Sequence, residues 1–324
     1  MDLAKECAGA KRIGISTHIR PDGDAVGSSA ALYLYLKKRF PEAELKLFME
    51  TPPDCFGYIQ CLSDINSEYA YEEVFDVFFA LDTVPERMGA AEAFFYAAKK
   101  KINIDHHISN QNGSGDVNVV KPEVGSTSEV LYGLFEEAYL DKDIAMALYT
   151  GIIHDTGVFQ YSNTTPETMR IAARLMEFGF PFHKIIEESF YQKTYRQNQI
   201  LGRALMESIC FMDGRCIVSC VDKKMMAFYD AKPSDLDGIV NQLRNMKGVC
   251  CAVFMYETDL LEYKVSMRSN EKVDVSKVAS YFGGGGHMRA AGCTMKGTAH
   301  DVINNLSLHI EEQLKENEAC TTES

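Results

Sequence analysis

The stretch Lys101-Ile-Asn-Ile-Asp-His-His-Ile108 decides how this chain is read. An apolar run ends in an acid and two adjacent imidazoles: Asp105, His106 and His107. Three ionisable or ligating groups are costly to cluster unless something uses them, and a metal ion is the natural user. In an open α/β sheet, ligands bind beyond the carboxyl ends of the strands. Other apolar runs in the chain end the same way. Arg12-Ile-Gly-Ile15 leads into Thr17-His18-Ile-Arg-Pro-Asp22-Gly-Asp24, Val74 to Leu81 is followed by Asp82, and Ala145 to Ile153 is followed by Asp155. Read as strand ends, these segments deliver His and Asp to one rim.

Between the apolar runs lie helical patterns, at Ser28 to Leu36 and Ala90 to Lys100, and Ser126-Thr-Ser-Glu129 is a capping-box opening for another. The alternation predicts an α/β fold whose N-terminal domain, residues 1–190, has a mainly parallel sheet flanked by helices. From Pro166 to about Ser208 the pattern is mostly helical, and residues 191–208 read as a helical linker. Apolar runs joined by the turn-like Asp213-Gly214, then Cys250 to Tyr256 and Leu261 to Arg268, predict a smaller α+β domain over 209–324. Helices are expected there at Asp235 to Asn245 and Ala299 to Lys315, with a frayed tail from Cys320.

Composition narrows the function. At 324 residues two domains are expected. No apolar run spans a membrane, and the start lacks a signal peptide's pattern, so a cytoplasmic protein without a membrane partner is expected. The ten cysteines form no Cys-x-x-Cys pair and sit in apolar runs, as reduced core thiols do. A net charge of −13 argues against a surface that coats long duplex nucleic acid. It suits a short or mononucleotide ligand better.

Carboxylate oxygens and imidazoles without thiolate favour Mn²⁺, Mg²⁺, Fe²⁺ or Co²⁺ over structural zinc. The donors outnumber what one ion needs, and a pair of ions would generate a hydroxide near neutral pH to attack phosphorus. Each piece also has a plain structural reading: Asp82 or Asp155 as a helix N-cap, the His18–Asp24 loop as solvated polar surface.

His18-Ile-Arg-Pro-Asp22-Gly-Asp24, Asp82-Thr83, Asp105-His106-His107 and Gly151-Ile-Ile-His-Asp155-Thr-Gly157 together resemble the motifs of the DHH phosphoesterase superfamily. Val265-Ser-Met-Arg268-Ser269 and Gly283-Gly-Gly-Gly-His287 resemble its companion DHHA1 domain. The resemblance spans nearly the whole chain and is greatest to the NrnA-type branch. That branch implies a 3′-5′ oligoribonuclease for very short RNA that is also a 3′-phosphoadenosine 5′-phosphate phosphatase. It implies two divalent cations, Mn²⁺ foremost with Mg²⁺ or Co²⁺ as substitutes. One would be held by His18, Asp22 and Asp82, the other by Asp24, Asp82, His106 and Asp155.

By the same resemblance His107 is the general acid or a phosphate contact, and Asp105 orients the site. Arg268, Ser269, Gly284, Gly285, Gly286 and His287 would grip the substrate's phosphate or base, with Arg289 as a helper. His154 reads as structural. The implied partners are short RNA and 3′,5′-bisphosphonucleotides, and a homodimer is compatible with the sequence. Competing readings are a linear dinucleotide (pApA) phosphodiesterase and a RecJ-like single-strand exonuclease. A manganese pyrophosphatase and a nucleotide sensor without catalysis rank lower.

Overall fold

Val77-Phe-Phe-Ala-Leu81 is buried at every position in the computed structural model, so both faces of its sheet must be covered. The structure describes residues 1–270 and 272–322, apart from the side chains of His287 and of residues 318–322. It divides into two units, residues 1–192 and 193–324.

In the first unit the chain forms α1 (Leu3–Glu6), β1 (Arg12–Ser16), α2 (Gly23–Arg39), β2 (Glu44–Phe48), β3 (Ile65–Asn66), β4 (Val77–Leu81), α3 (Ala91–Ala97), β5 (Lys101–Asp105) and β6 (Val117–Val120). All six strands are parallel, in the order β3-β2-β1-β4-β5-β6. Phe48, Phe75 and Phe78 pack with Phe95 of α3 on one face. Ile13, Ile15, Phe79 and Ile104 pack with Val26 and Ala30 of α2 on the other. From β1 the chain turns to β2 on one side, then crosses to β4 on the other. The carboxyl ends of β1 and β4 therefore flank a topological switch point, where a crevice opens in such sheets.

Four helices complete the unit: α4 (Thr127–Tyr132), α5 (Lys142–Asp155), α6 (Pro166–Met176) and α7 (Phe182–Ile185). Here one expectation is corrected. Ala145 to Ile153 is not a strand but the body of α5, capped by Asp141, whose Oδ1 accepts from Ile144 N at 2.9 Å. Every residue from Ile144 to Ile153 is buried. An apolar run with no polar face shows no period, so helix and buried strand look alike.

The helix α5 lies on α2 at a glycine crossing. A Cβ on Gly27 would stand 2.5 Å from Ala147 O and 2.7 Å from Gly151 N. Both are backbone atoms, so neither side can yield without moving a helix. Gly27→Ala should cost about 1–3 kcal/mol as an overpacked contact. The measurement is the thermal-unfolding midpoint, and an unchanged midpoint would mean that the helices separate freely.

The second unit begins with α8 (Tyr195–Met206), followed by β7 (Ile209–Phe211), β8 (Cys216–Val221), α9 (Lys223–Phe228), α10 (Ile239–Arg244), β9 (Cys251–Asp259), β10 (Glu262–Ser269), α11 (Val275–Tyr281), β11 (Gly285–His287), β12 (Ala290–Lys296) and α12 (Ala299–Thr322). Its sheet runs β11-β12-β10-β9-β8-β7 and is antiparallel except where β8 meets β9. Cys216, Val253, Val265 and Met267 face Val278 of α11 and Leu306 of α12. Ile217 and Phe254 face Ile200 and Ala204 of α8 and Leu243 of α10.

So α8 is more than a connector; it is part of this unit's core. The helix α12 runs on past Lys315 and through the expected tail to Thr322, and Glu323 and Ser324 lie outside the described residues. The described cysteines are all free thiols. Burial pushes the Cys216 thiol up to about 12, which keeps it protonated and unreactive at neutral pH. Among the described residues no helix is long and apolar enough to cross a membrane.

Candidate metal centre

The strand ends of the first unit converge at the switch point. His18 follows β1 and is buried, with Nδ1 held by Ile19 O at 2.9 Å. Its Nε2 stands 3.7 Å from Asp22 Oδ2 and 3.8 Å from Asp82 Oδ2. Asp22 is the N-cap of α2, its Oδ1 accepting from Asp24 N and Ala25 N. One oxygen thus fixes the helix start while the other faces His18.

The carboxylate of Asp82 is 2% exposed. It is not a helix N-cap: it leaves β4 in the left-handed conformation, φ +57°, a turn that Asp tolerates better than most residues. Its amide donates to Ile104 O at 3.0 Å, which holds this turn against β5.

Asp105 ends β5 and is buried. Its Oδ1 accepts from His106 N at 2.7 Å and His107 N at 3.0 Å, and lies 2.7 Å from His107 Nδ1. Its Oδ2 accepts from Asn110 Nδ2 at 2.7 Å. Asn110 also donates to Asn103 Oδ1, and Asn103 donates to Ala80 O and Thr83 O. That amide network ties the end of β5 to the end of β4.

The imidazole of His106 reaches across the site. Its Nε2 is 2.9 Å from Asp155 Oδ2 and 3.6 Å from Asp82 Oδ1. His107 Nδ1 is 3.5 Å from Asp82 Oδ1. Asp155 arrives as the last residue of α5. His154, one residue earlier on the same helix, engages other partners: Nε2 meets Ser189 Oγ at 3.0 Å and the ring packs edge-on to Phe56 and Phe190.

Thr127 and Ser128 are residues that motif spacing missed. Asp24, 1% exposed, accepts Thr127 N at 2.6 Å on Oδ2, and Ser128 N at 3.0 Å and Ser128 Oγ at 2.6 Å on Oδ1. Thr127 Oγ1 donates to Asp82 Oδ1 at 2.9 Å. The signal was in the capping pattern: first-turn amides of a helix have no intrahelical acceptor and are free to receive a carboxylate. Ser126 Oγ accepts from Glu129 N as expected, but the Glu129 carboxylate turns to Gly125 N and Thr168 Oγ1.

Crowding of buried carboxylates shapes the electrostatics. Burial raises the Asp82 carboxyl well above its ordinary range, and repulsion by Asp24, Asp22, Asp155 and Asp105 adds to it. Burial, then repulsion by Asp155, pushes Asp24 up to about 6. Burial disfavours the charged form of His106, yet the hydrogen bond and charge of Asp155 carry it up to about 9. His18 is raised in the same way, by Asp22 acting against burial. For Asp105 and Asp22 burial works upward, but hydrogen bonds from His107 and His18 respectively outweigh it. Asp105 is lowered, and Asp22 falls to about 2.

Such repulsion calls for cations. Three sets of donors lie within 4.8 Å of one another: His18, Asp22 and Asp82; Asp24, His106 and Asp155; and Asp82, His106 and His107. Their oxygen and nitrogen chemistry suits hard or borderline divalent ions.

In the second unit the expected substrate residues fall on β10 and β11, the two strands that flank β12, and on the turn from α11 into β11. Arg268 is the penultimate residue of β10, with Nε donating to Asn241 Oδ1 at 3.1 Å and Nη1 to Met267 O at 3.0 Å. Ser269 is buried, its hydroxyl facing Val273 O at 2.6 Å and Met288 O at 3.3 Å. It braces the backbone at this point.

Gly285 and Gly286 belong to β11, paired with Gly292 and Ala291 of β12. A Cβ on Gly284 or Gly286 would collide with the β12 backbone, whereas Gly285 faces open space. The backbone of His287 ends β11, and its side chain lies outside the described residues. The side chain of Arg289 is exposed.

Residues 12–152 match the DHH family N-terminal domain and residues 213–316 match the DHHA1 domain. The bifunctional oligoribonuclease and PAP phosphatase NrnA of Thermus thermophilus is 30% identical over 289 residues, 88% of this chain and 84% of that protein. The Bacillus subtilis NrnA is 27% identical over 93% of this chain and 94% of its own. Among solved structures, an exopolyphosphatase-related protein from Bacteroides fragilis superposes with a TM-score of 0.87 at 26% identity, covering 97% of this chain and 95% of the other. A parallel sheet with its donors at the switch point, a second unit with the glycine strand, and near full-length similarity agree: the chain belongs to the DHH–DHHA1 family that includes the NrnA oligoribonucleases and PAP phosphatases.

Proposed function

We propose that the chain is a metal-dependent hydrolase of short nucleotides. It removes nucleotides from very short RNA as a 3′-5′ oligoribonuclease, and the 3′-phosphate from 3′-phosphoadenosine 5′-phosphate. The observation that carries this reading is the cluster of carboxylates and imidazoles around the buried Asp82 and Asp24, in a chain 30% identical, over most of its length, to an NrnA.

His18, Asp22 and Asp82 would hold one cation, and Asp24, Asp82, His106 and Asp155 the other, Mn²⁺ being favoured. Bound there, two divalent ions supply an activated water and neutralise phosphate oxygens. Asp82 lies within 4 Å of imidazoles from both sets, which suits it to be shared. Thr127 and Ser128 orient Asp82 and Asp24, as partners behind ligands do. Asp105 keeps the His107 proton at Nδ1, so Nε2 is the atom that exchanges a proton with the substrate. Arg268 and the backbone of β11 hold the substrate's phosphate; the planar guanidinium suits that anion.

The test is a manganese-loaded assay on a panel: bisphosphoadenosine, pApA, RNA from dimers to long oligomers, and pyrophosphate. The expected result is turnover of the first two and of short RNA, falling as RNA lengthens. Turnover of pyrophosphate alone would overturn the nucleotide reading.

Cation binding also predicts a pH dependence of stability. Asp24 and Asp82 are raised above their ordinary range, as are His18 and His106. A raised group stabilises fully below its unfolded pKa and loses that contribution as pH climbs through its folded one. Metal-free protein should therefore weaken from about pH 4 upward, with His106 contributing last, near its folded value of about 9. The lowered Asp22 and Asp105 act oppositely and lose their contribution as the medium turns strongly acidic. Bound cations offset the carboxylate charge, so the gain in unfolding midpoint on adding Mn²⁺ should be larger near pH 8 than near pH 5. An equal or smaller gain at the higher pH would contradict this.

A further inference from the structure

We propose that Asn241 is a positioning residue for Arg268 and so sets the enzyme's affinity for the substrate's phosphate. This rests on the reading that Arg268 contacts substrate. Arg268 lies on β10, in register with Ala252 of β9 and Ala290 of β12. Strand alternation buries Val265 and Met267 on the face covered by α11 and α12, so Arg268 projects to the opposite face. There α10 waits, fixed to the sheet through Ile239, Val240 and Leu243. From that helix Asn241 meets the guanidinium, with Oδ1 receiving Arg268 Nε at 3.1 Å.

The second anchor is Met267 O, 3.0 Å from Nη1. One contact would let the long side chain swivel. Two contacts on different nitrogens fix the plane of the guanidinium, whose donors work only in a set geometry.

The chemistry of the anchor matters as much as its place. An amide oxygen accepts the Nε–H without cancelling the positive charge. A carboxylate there would form an ion pair and weaken attraction for a phosphate. The Asn241 contact thus orients Arg268 without itself adding a counter-charge, which suits an anion-holding arginine. Nothing in the motif spacing pointed to Asn241, because it lies on another element, 27 residues before Arg268.

The experiment is a double-mutant cycle on manganese-loaded full-length protein, with Asn241→Ala, Arg268→Ala and the double variant. KM and kcat are read on bisphosphoadenosine and pApA. Asn241→Ala should raise KM about tenfold, the factor for losing a hydrogen bond to a charged group, with kcat nearly unchanged. Asn241→Asp keeps the acceptor but adds charge, and should raise KM at least as much. The double variant should be no worse than Arg268→Ala alone, because the two residues act through one contact. Additive losses, or a KM unchanged by Asn241→Ala while Arg268→Ala raises it, would overturn the proposal. If Arg268→Ala itself leaves KM unchanged, the assignment of Arg268 is what fails, and the cycle separates the two cases.

Discussion

Asp82→Asn protein should fold at least as stably as the parent in the absence of metal and lose at least about 10³-fold in turnover. The loss corresponds to about 4 kcal/mol of transition-state stabilisation, a reasonable share for a carboxylate shared between two cations. The stability follows from the same burial. Asp82 is enclosed and repelled by four other carboxylates, which is why its carboxyl is raised so far. An uncharged amide of the same shape removes that repulsion and retains an oxygen for Thr127 Oγ1, now 2.9 Å away. Asparagine also tolerates the left-handed φ of +57° that alanine would find strained. Activity on bisphosphoadenosine, bound manganese per chain and the unfolding midpoint in chelator are the measurements. Full metal content with wild-type turnover would refute the shared-ligand role. A fall in the metal-free midpoint would refute the account of its electrostatics.

Much of this was legible in the sequence, and the parts that were not share a physical cause. β1, β4 and β5 end within a residue of where the apolar runs end, because a parallel strand covered on both faces is mostly apolar. His18, Asp22, Asp24, Asp82, Asp105, His106 and His107 could therefore be placed at strand ends without coordinates. Asp155 was put at the right place in the chain but on the wrong element. Its run, Ala145 to Ile153, is buried between α2 and the outer helices, so no polar stripe betrays a 3.6-residue period.

Contacts that support the site were the least visible. Thr127 and Ser128 lie 103 and 104 residues from Asp24, the carboxylate they hold. Asn110 is close to Asp105 in sequence, yet its value lies in a link to Asn103 and through it to β4. Such partners are ordinary Thr, Ser and Asn until folding brings them together. The glycines of the second unit are a different case. At Gly284 and Gly286 β12 leaves no room for a Cβ, whereas a Cβ on Gly283 or Gly285 would meet open space. Composition shows where a side chain is absent; it does not show which neighbour requires the absence.

His107→Ala should lower kcat by about 10²–10⁴, the range for a positioned general acid, while manganese content stays at the parent level. His107 has two candidate roles in the geometry. It stands with Asp82 and His106 in one set of donors, so it could ligate. Yet its Nδ1 is 2.7 Å from Asp105 Oδ1, closer than the 3.5 Å to Asp82 Oδ1. Asp105 thus occupies Nδ1 and leaves Nε2 as the working atom, and a ring oriented by a carboxylate in this way is the arrangement that carries protons. The leaving group tells the roles apart. A nucleoside oxygen needs a proton as it departs, whereas a nitrophenolate does not. The loss should therefore be large on pApA and small on a nitrophenyl ester of a nucleotide. A companion Asp105→Asn variant should lose less, about 10–100-fold, because it disturbs the orientation of the ring without removing it. Equal losses on both esters together with a fall in bound manganese would make His107 a ligand, and the proton would then have to come from elsewhere.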